Sequence, residues 1–163
     1  MVENDFAGNP IMPLLRQAYP PFRNGQVRQA LDLIEPMLKV ERANRSTAAA
    51  SVLWGLAGDC YFKLNQPEDG FRAYRRSIEL NPETGCLTLF ACQVAKHRRA
   101  ELAAEALRCL QAARKADWRA FKKYPVHVLL HSLKPTALLH RFYEVPLTRW
   151  RLRRLANHPH ADH

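Results

Sequence analysis

The chain has 163 residues, a formal net charge of +10, four cysteines and an apolar content ordinary for a globular protein. A chain of this length makes one domain and buries about two-thirds of its unfolded surface, and no apolar run approaches the roughly 18 residues of a membrane span. The opening MVENDFAGNP carries acids before any apolar stretch, unlike a secretory leader, and Cys60, Cys86, Cys92 and Cys109 are spaced like neither a zinc ribbon nor a redox pair; reduced thiols and a cytoplasmic location are therefore expected.

Strand patterns are nearly absent, so the expected fold class is all-α. Residues 1–9 are expected to be extended or disordered. After Pro13, PLLRQAY makes a short helix that Pro20 and Pro21 should stop. Asn24 is placed to cap a second helix, with Val27, Leu31, Ile34 and Leu38 on one face and Pro36 forcing a kink or an early end. Ser46 or Thr47 can start a third helix, ending near Asn65. Pro67 opens a fourth, PEDGFRAYRRSIEL, with its acids in the first turn. NPETG breaks the chain, and CLTLFACQVAKH and AELAAEALRCLQAARK follow, joined by a basic turn.

The unit is thus a repeated pair of antiparallel helices. Before its turn the central pair reads Trp54, Ala57, Gly58, Tyr61; after it, Gly70, Tyr74, Ser77, with Pro82 closing the unit. This order of large and small residues resembles the tetratricopeptide repeat, a 34-residue helix-turn-helix unit. Thr88, Ala91, Cys92 and Ala95 recur 34 residues downstream, and Ala106, Leu110 and Ala113 recur after 36, so two residues are inserted in the turn. Upstream, Ala30, Ile34 and Met37 repeat the second-helix pattern at a spacing of 40. The resemblance implies a right-handed solenoid of about three such pairs over residues 10–116. Residues 117–157, cut by Pro125, Pro135 and Pro146, supply short capping helices, the first capped by Asp117, and residues 158–163 form a disordered tail.

The resemblance also implies a concave groove lined by the first helix of each pair. In this register the groove residues are Val52, Gly55, Asp59, Phe62 and Lys63, then Cys86, Leu89, Gln93, Lys96 and His97. Gly55 would leave room for a ligand, Phe62 and Leu89 would offer apolar pockets, and Lys63 and Lys96 would supply cations. The family's carboxylate clamp is incomplete, since Asp59 and Gln93 replace its asparagines.

Residues 117–163 hold nine basic and three acidic side chains and six of the seven histidines. His127 and His131 lie four apart, the spacing of a zinc-binding pair, or simply of a packed face. RWRLRRL sets Arg149, Arg151, Arg153 and Arg154 around Trp150; such residues bind nucleic acid, or the tryptophan packs and the arginines stay in water. No nucleophile elbow, phosphate loop or dinucleotide fingerprint occurs, so neither an enzyme nor a cofactor is expected. The expected function is binding of a partner protein, through a peptide or helix, in an assembly, scaffold or chaperone role. The alternative is a nucleic-acid-associated adaptor that uses the basic tail.

Overall fold

The structure, a computed structural model, describes residues 11–40, 48–123 and 145–157. These residues form seven α-helices and one short 3-10 helix, with no strand among them. The chain divides into two compact units, residues 1–82 and 83–163.

In the first unit, α1 (Ile11–Arg23) pairs with α2 (Val27–Leu38), and α3 (Ala48–Lys63) pairs with α4 (Pro67–Leu80). Connections of three residues make each pair antiparallel. Helix α3 packs on α1, α2 and α4 together. That explains its burial on nearly every side: Ala49, Ala50, Leu53, Leu56, Ala57 and Cys60 all join one core with Ile11 and Leu15 of α1 and Leu31 and Ile34 of α2. Each fully buried leucine or isoleucine contributes about 1.5–3 kcal/mol against leaving it in water. Trp54 and Tyr61 lie half-buried against this core.

Two prolines that the sequence places as a helix stop do not act as one. Helix α1 runs through Pro20 and Pro21 to Arg23. A proline in a helix frees the carbonyl four residues back, and here those belong to Arg16 and Gln17, both exposed positions where water can replace the lost donor. The proline carbonyls then take part in the helix end: Pro20 O accepts from Asn24 N at 3.0 Å and Pro21 O from Gln26 N at 2.9 Å. Asn24 is accordingly part of this turn rather than the cap of α2, whose N-cap is Gln26, without a side-chain capping bond. Pro36 lies inside α2, which ends two residues later at Leu38.

The second unit contains α5 (Thr84–Lys96), a 3-10 helix (Ala100–Leu102), α6 (Ala103–Lys123) and α7 (Val145–Asn157). Helices α5, α6 and α7 pack on one another in a three-way contact. Phe90, Ala91 and Val94 of α5, Ala103, Ala106, Leu110 and Ala113 of α6, and Leu152 of α7 are buried. The Cys92 thiol meets the Thr148 hydroxyl at 3.5 Å, a link between α5 and α7. Asp117 does not start a helix; α6 continues through it, because KADW contains neither proline nor glycine to break a helix already under way.

Three helix ends share one construction. Gly25, Asn65 and Arg98 have φ of 81°, 59° and 51°. The next residue donates five back in each case: Gln26 N to Pro21 O at 2.9 Å, Gln66 N to Tyr61 O at 2.9 Å, and Arg99 N to Val94 O at 3.1 Å. This is the Schellman closure, which turns a helix end sharply by one left-handed residue. After the turn at Arg98 the chain makes the 3-10 helix Ala100–Leu102 before entering α6.

The α3–α4 pair meets at two glycines. A methyl group on Gly58 would stand 3.2 Å from Cγ of Tyr74, and one on Gly70 would stand 2.7 Å from Cε2 of Phe62. The Phe62 ring is held edge-on by Phe71, centroids 4.9 Å apart, and stacked on Tyr74 at 5.6 Å, so yielding to an added methyl disturbs both ring contacts. At Gly85, in the first turn of α5, a methyl meets nothing within 4 Å. Gly70→Ala is therefore expected to lower stability by about 1–3 kcal/mol, although alanine is the better helix former. Gly85→Ala is expected to raise it by up to about 1 kcal/mol. Urea denaturation of the two variants measures the contrast; equal effects would show that the close approach at Gly70 is not a constraint.

Candidate functional site

Helix α3 carries five of the residues expected to line a groove, and their surroundings divide them. The Tyr74 hydroxyl donates to Asp59 Oδ1 at 2.5 Å, so this carboxylate serves the α3–α4 contact. Phe62 also belongs to that contact, through Phe71, Tyr74 and Gly70. Gly55, expected to open space for a ligand, is buried within α3. Val52 is half-buried against the core. Lys63 alone among the five is exposed, with its ammonium 4.3 Å above the Phe22 ring.

Lys63 borders an open depression of about 610 Å³. The turn after α1 and the first turns of α2 supply the other walls: Gln26, Val27, Arg28, Gln29 and Asp32, with Leu64 beside Lys63. The Schellman closures at Gly25 and Asn65 bring these segments to their places, so backbone geometry builds the rim and the side chains give it mixed polarity. Two cations, one carboxylate, two amides and two apolar side chains suit an extended peptide segment. Of its lining only Lys63 is expected from the sequence to bind a partner; the α2 residues Arg28, Gln29 and Asp32 carry no spacing signal that marks them.

On α5 the expected groove residues are divided as well. Leu89 is 40% exposed and Lys96 is exposed, while Cys86, Gln93 and His97 are half-buried. The buried amide oxygen of Gln93 has no hydrogen-bond partner among the described residues. Burial, then the charges of Lys96 and Arg99, hold His97 below the ordinary imidazole range, which keeps it neutral near pH 7.

The basic segment forms α7, and its arginines and tryptophan stand in water together. Thr148 and Leu152 are buried, Arg149 is half-buried, and Arg151, Arg153, Arg154 and Trp150 are exposed. Trp150 is 58% exposed, so the reading in which this ring packs is not what the helix shows. His127 and His131 lie outside the described residues. Among the described residues no group of three or more His, Cys, Asp or Glu side chains is placed to hold a metal ion. No helix among them is long and apolar enough to cross a membrane.

Electrostatics set one further limit on chemistry. Burial, then the negative charge of Asp59, push the Cys60 thiol up to about 12, which leaves it protonated and unreactive. All four cysteines are free thiols. Comparisons with protein-family models, with curated proteins and with solved structures return no match.

Burial raises Asp59 above its ordinary value of 3.8, against the lowering influence of the Tyr74 hydrogen bond and Lys63. Between the two values the folded protein holds a proton that the unfolded chain has released, so stability falls as pH rises through that window. Asp59→Asn keeps an oxygen for the Tyr74 hydroxyl and removes the titration. Urea denaturation from pH 3 to pH 8 is expected to show the variant gaining on the wild type as pH rises; parallel profiles would contradict the assignment.

Proposed function

We propose that the chain is a protein-interaction module of the tetratricopeptide type, in which about three helix pairs and a helical cap form a right-handed solenoid. It binds a peptide or helix of a partner protein in an assembly, scaffold or chaperone role. The observation that carries this reading is the shared turn. Three helix pairs, α1 with α2, α3 with α4 and α5 with the helix that follows, are each closed by one left-handed residue and one bond five residues back. A recurrent closure supports a recurrent unit, and repeat units of that kind stack and present one helix of each pair to a ligand.

The signature positions of the central pair support the same reading. Gly58 lies against Tyr74, and Ser77 packs on α3, where its hydroxyl donates to Ser51 O at 2.8 Å and Ser51 donates in turn to Asn81 O at 3.1 Å. Small residues at these places let the two helices approach; the buried hydroxyls are satisfied by carbonyls. Within the first unit the candidate contacts of this reading are Lys63 and the depression beside it; within the second they are the exposed Leu89 and Lys96.

The full-length protein is expected to retain a protein partner from nuclease-treated lysate of its native cell. Charge reversal at both Lys63→Glu and Lys96→Glu should lower the recovered partner at least tenfold, with thermal melting lowered only slightly, through loss of the Lys63 contact with Phe22. Undiminished capture by the double variant would show that these cations do not contact the partner.

A further inference from the structure

The +10 charge of the chain sits almost entirely in one unit. Residues 83–163 carry 15 basic and six acidic side chains, whereas residues 1–82 carry ten and nine. Within the second unit five of these cations lie on two helix faces, each centred on a tryptophan.

Helix α7 contains four arginines and no acid. Successive residues of a helix turn by about 100°, so Trp150, Arg153, Arg154 and Asn157 share one face, opposite the buried Thr148 and Leu152. The Arg154 guanidinium stands 5.9 Å from the Trp150 ring centre. Helix α6 repeats the design: Arg114, Lys115, Trp118 and Lys122 are exposed along one stripe, and the Lys122 ammonium lies 5.5 Å from the Trp118 ring. Both indoles are 58% exposed, an unusual state for the side chain with the largest apolar area. Among the described residues no carboxylate forms an ion pair with Arg151, Arg153 or Arg154.

We propose that this pair of tryptophan-centred basic stripes on α6 and α7 binds single-stranded nucleic acid, an activity independent of the peptide-binding reading above. Arginine forks and lysines meet successive phosphates, and an exposed indole between them stacks on an unpaired base. Duplexes fit less well, because their bases are already stacked and offer the indoles nothing to cover. An anionic membrane fits less well too. Interfacial helices insert an apolar face, and the apolar side of α7 is already packed against α5 and α6.

The full-length protein is titrated by fluorescence anisotropy against labelled 20-nucleotide single strands of DNA and of RNA, the matching DNA duplex, and vesicles containing phosphatidylserine. The single strands are expected to bind at least about tenfold more tightly than the duplex, with affinity falling steeply with salt. Trp150→Ala should weaken single-strand binding about tenfold, the equivalent of ~1.4 kcal/mol, and leave the salt dependence as it was. Arg153→Gln with Arg154→Gln should lower the logarithmic salt slope by about 1.4, or ~0.7 for each phosphate no longer neutralised. Circular dichroism checks that both variants keep the wild-type helix content. The proposal is overturned by equal binding of duplex and single strand, by binding to the vesicles alone, by no binding at all, or by a Trp150→Ala variant that binds as the wild type does.

Discussion

The close approach of α3 and α4 is the contact on which the first unit depends. Helix α3 is the common neighbour of α1, α2 and α4, so α4 joins the first pair mainly through its contact with α3. Gly58 and Gly70 set the α3–α4 spacing, each giving up a side chain to an aromatic ring, Tyr74 in one case and Phe62 in the other. The rings in turn order polar groups: Tyr74 holds Asp59, and a step along the same interface Ser51 and Ser77 hold the end of α4 at Asn81. An interface so filled tolerates little change in volume.

This explains how much of the protein was legible in its residues. Helix type and most boundaries follow from local chemistry: Pro67 opens α4 at its first turn, Asn65 closes α3, and Pro146 falls in the first turn of α7. Gly58, Tyr74 and Ser77 announced a helix pair because packing fixes their size. Groove residues were harder to read, since a helical register gives a direction without saying what fills it. Asp59 and Phe62 point toward α4's own aromatics, and Gly55 is buried, which a position count along α3 could not reveal. Pro20 and Pro21 misled for a different reason. Their cost depends on whether the carbonyls they free can reach water, and that is a property of the folded surface. The end of α6 failed in the opposite sense: Asp117 is a competent cap, but a helix already formed continues through a residue that would otherwise start one.

The two proposed activities draw mainly on different parts of an uneven charge distribution. The first unit is nearly balanced and is held by small residues against rings, with a mixed depression beside the turns inside its two pairs. The second unit carries the excess of cations and both exposed indoles. A peptide ligand and a nucleic-acid strand make different demands, one on shape with a few cations and the other on a line of cations with flat apolar surfaces. The two sets of residues are separate in the chain, so one can be altered without touching the other.

The claim that steric fit between glycine and ring holds α3 to α4 is tested most directly by a double-mutant cycle on Gly58 and Tyr74. In the wild-type background Gly58→Ala adds a methyl 3.2 Å from the ring, and the crowding opposes the gain in helix propensity. In a Tyr74→Leu background the ring is gone, and the same change should become stabilising by about 1 kcal/mol. Urea denaturation of the four proteins is predicted to give a coupling of at least about 1 kcal/mol; an identical effect of Gly58→Ala in both backgrounds would contradict the account.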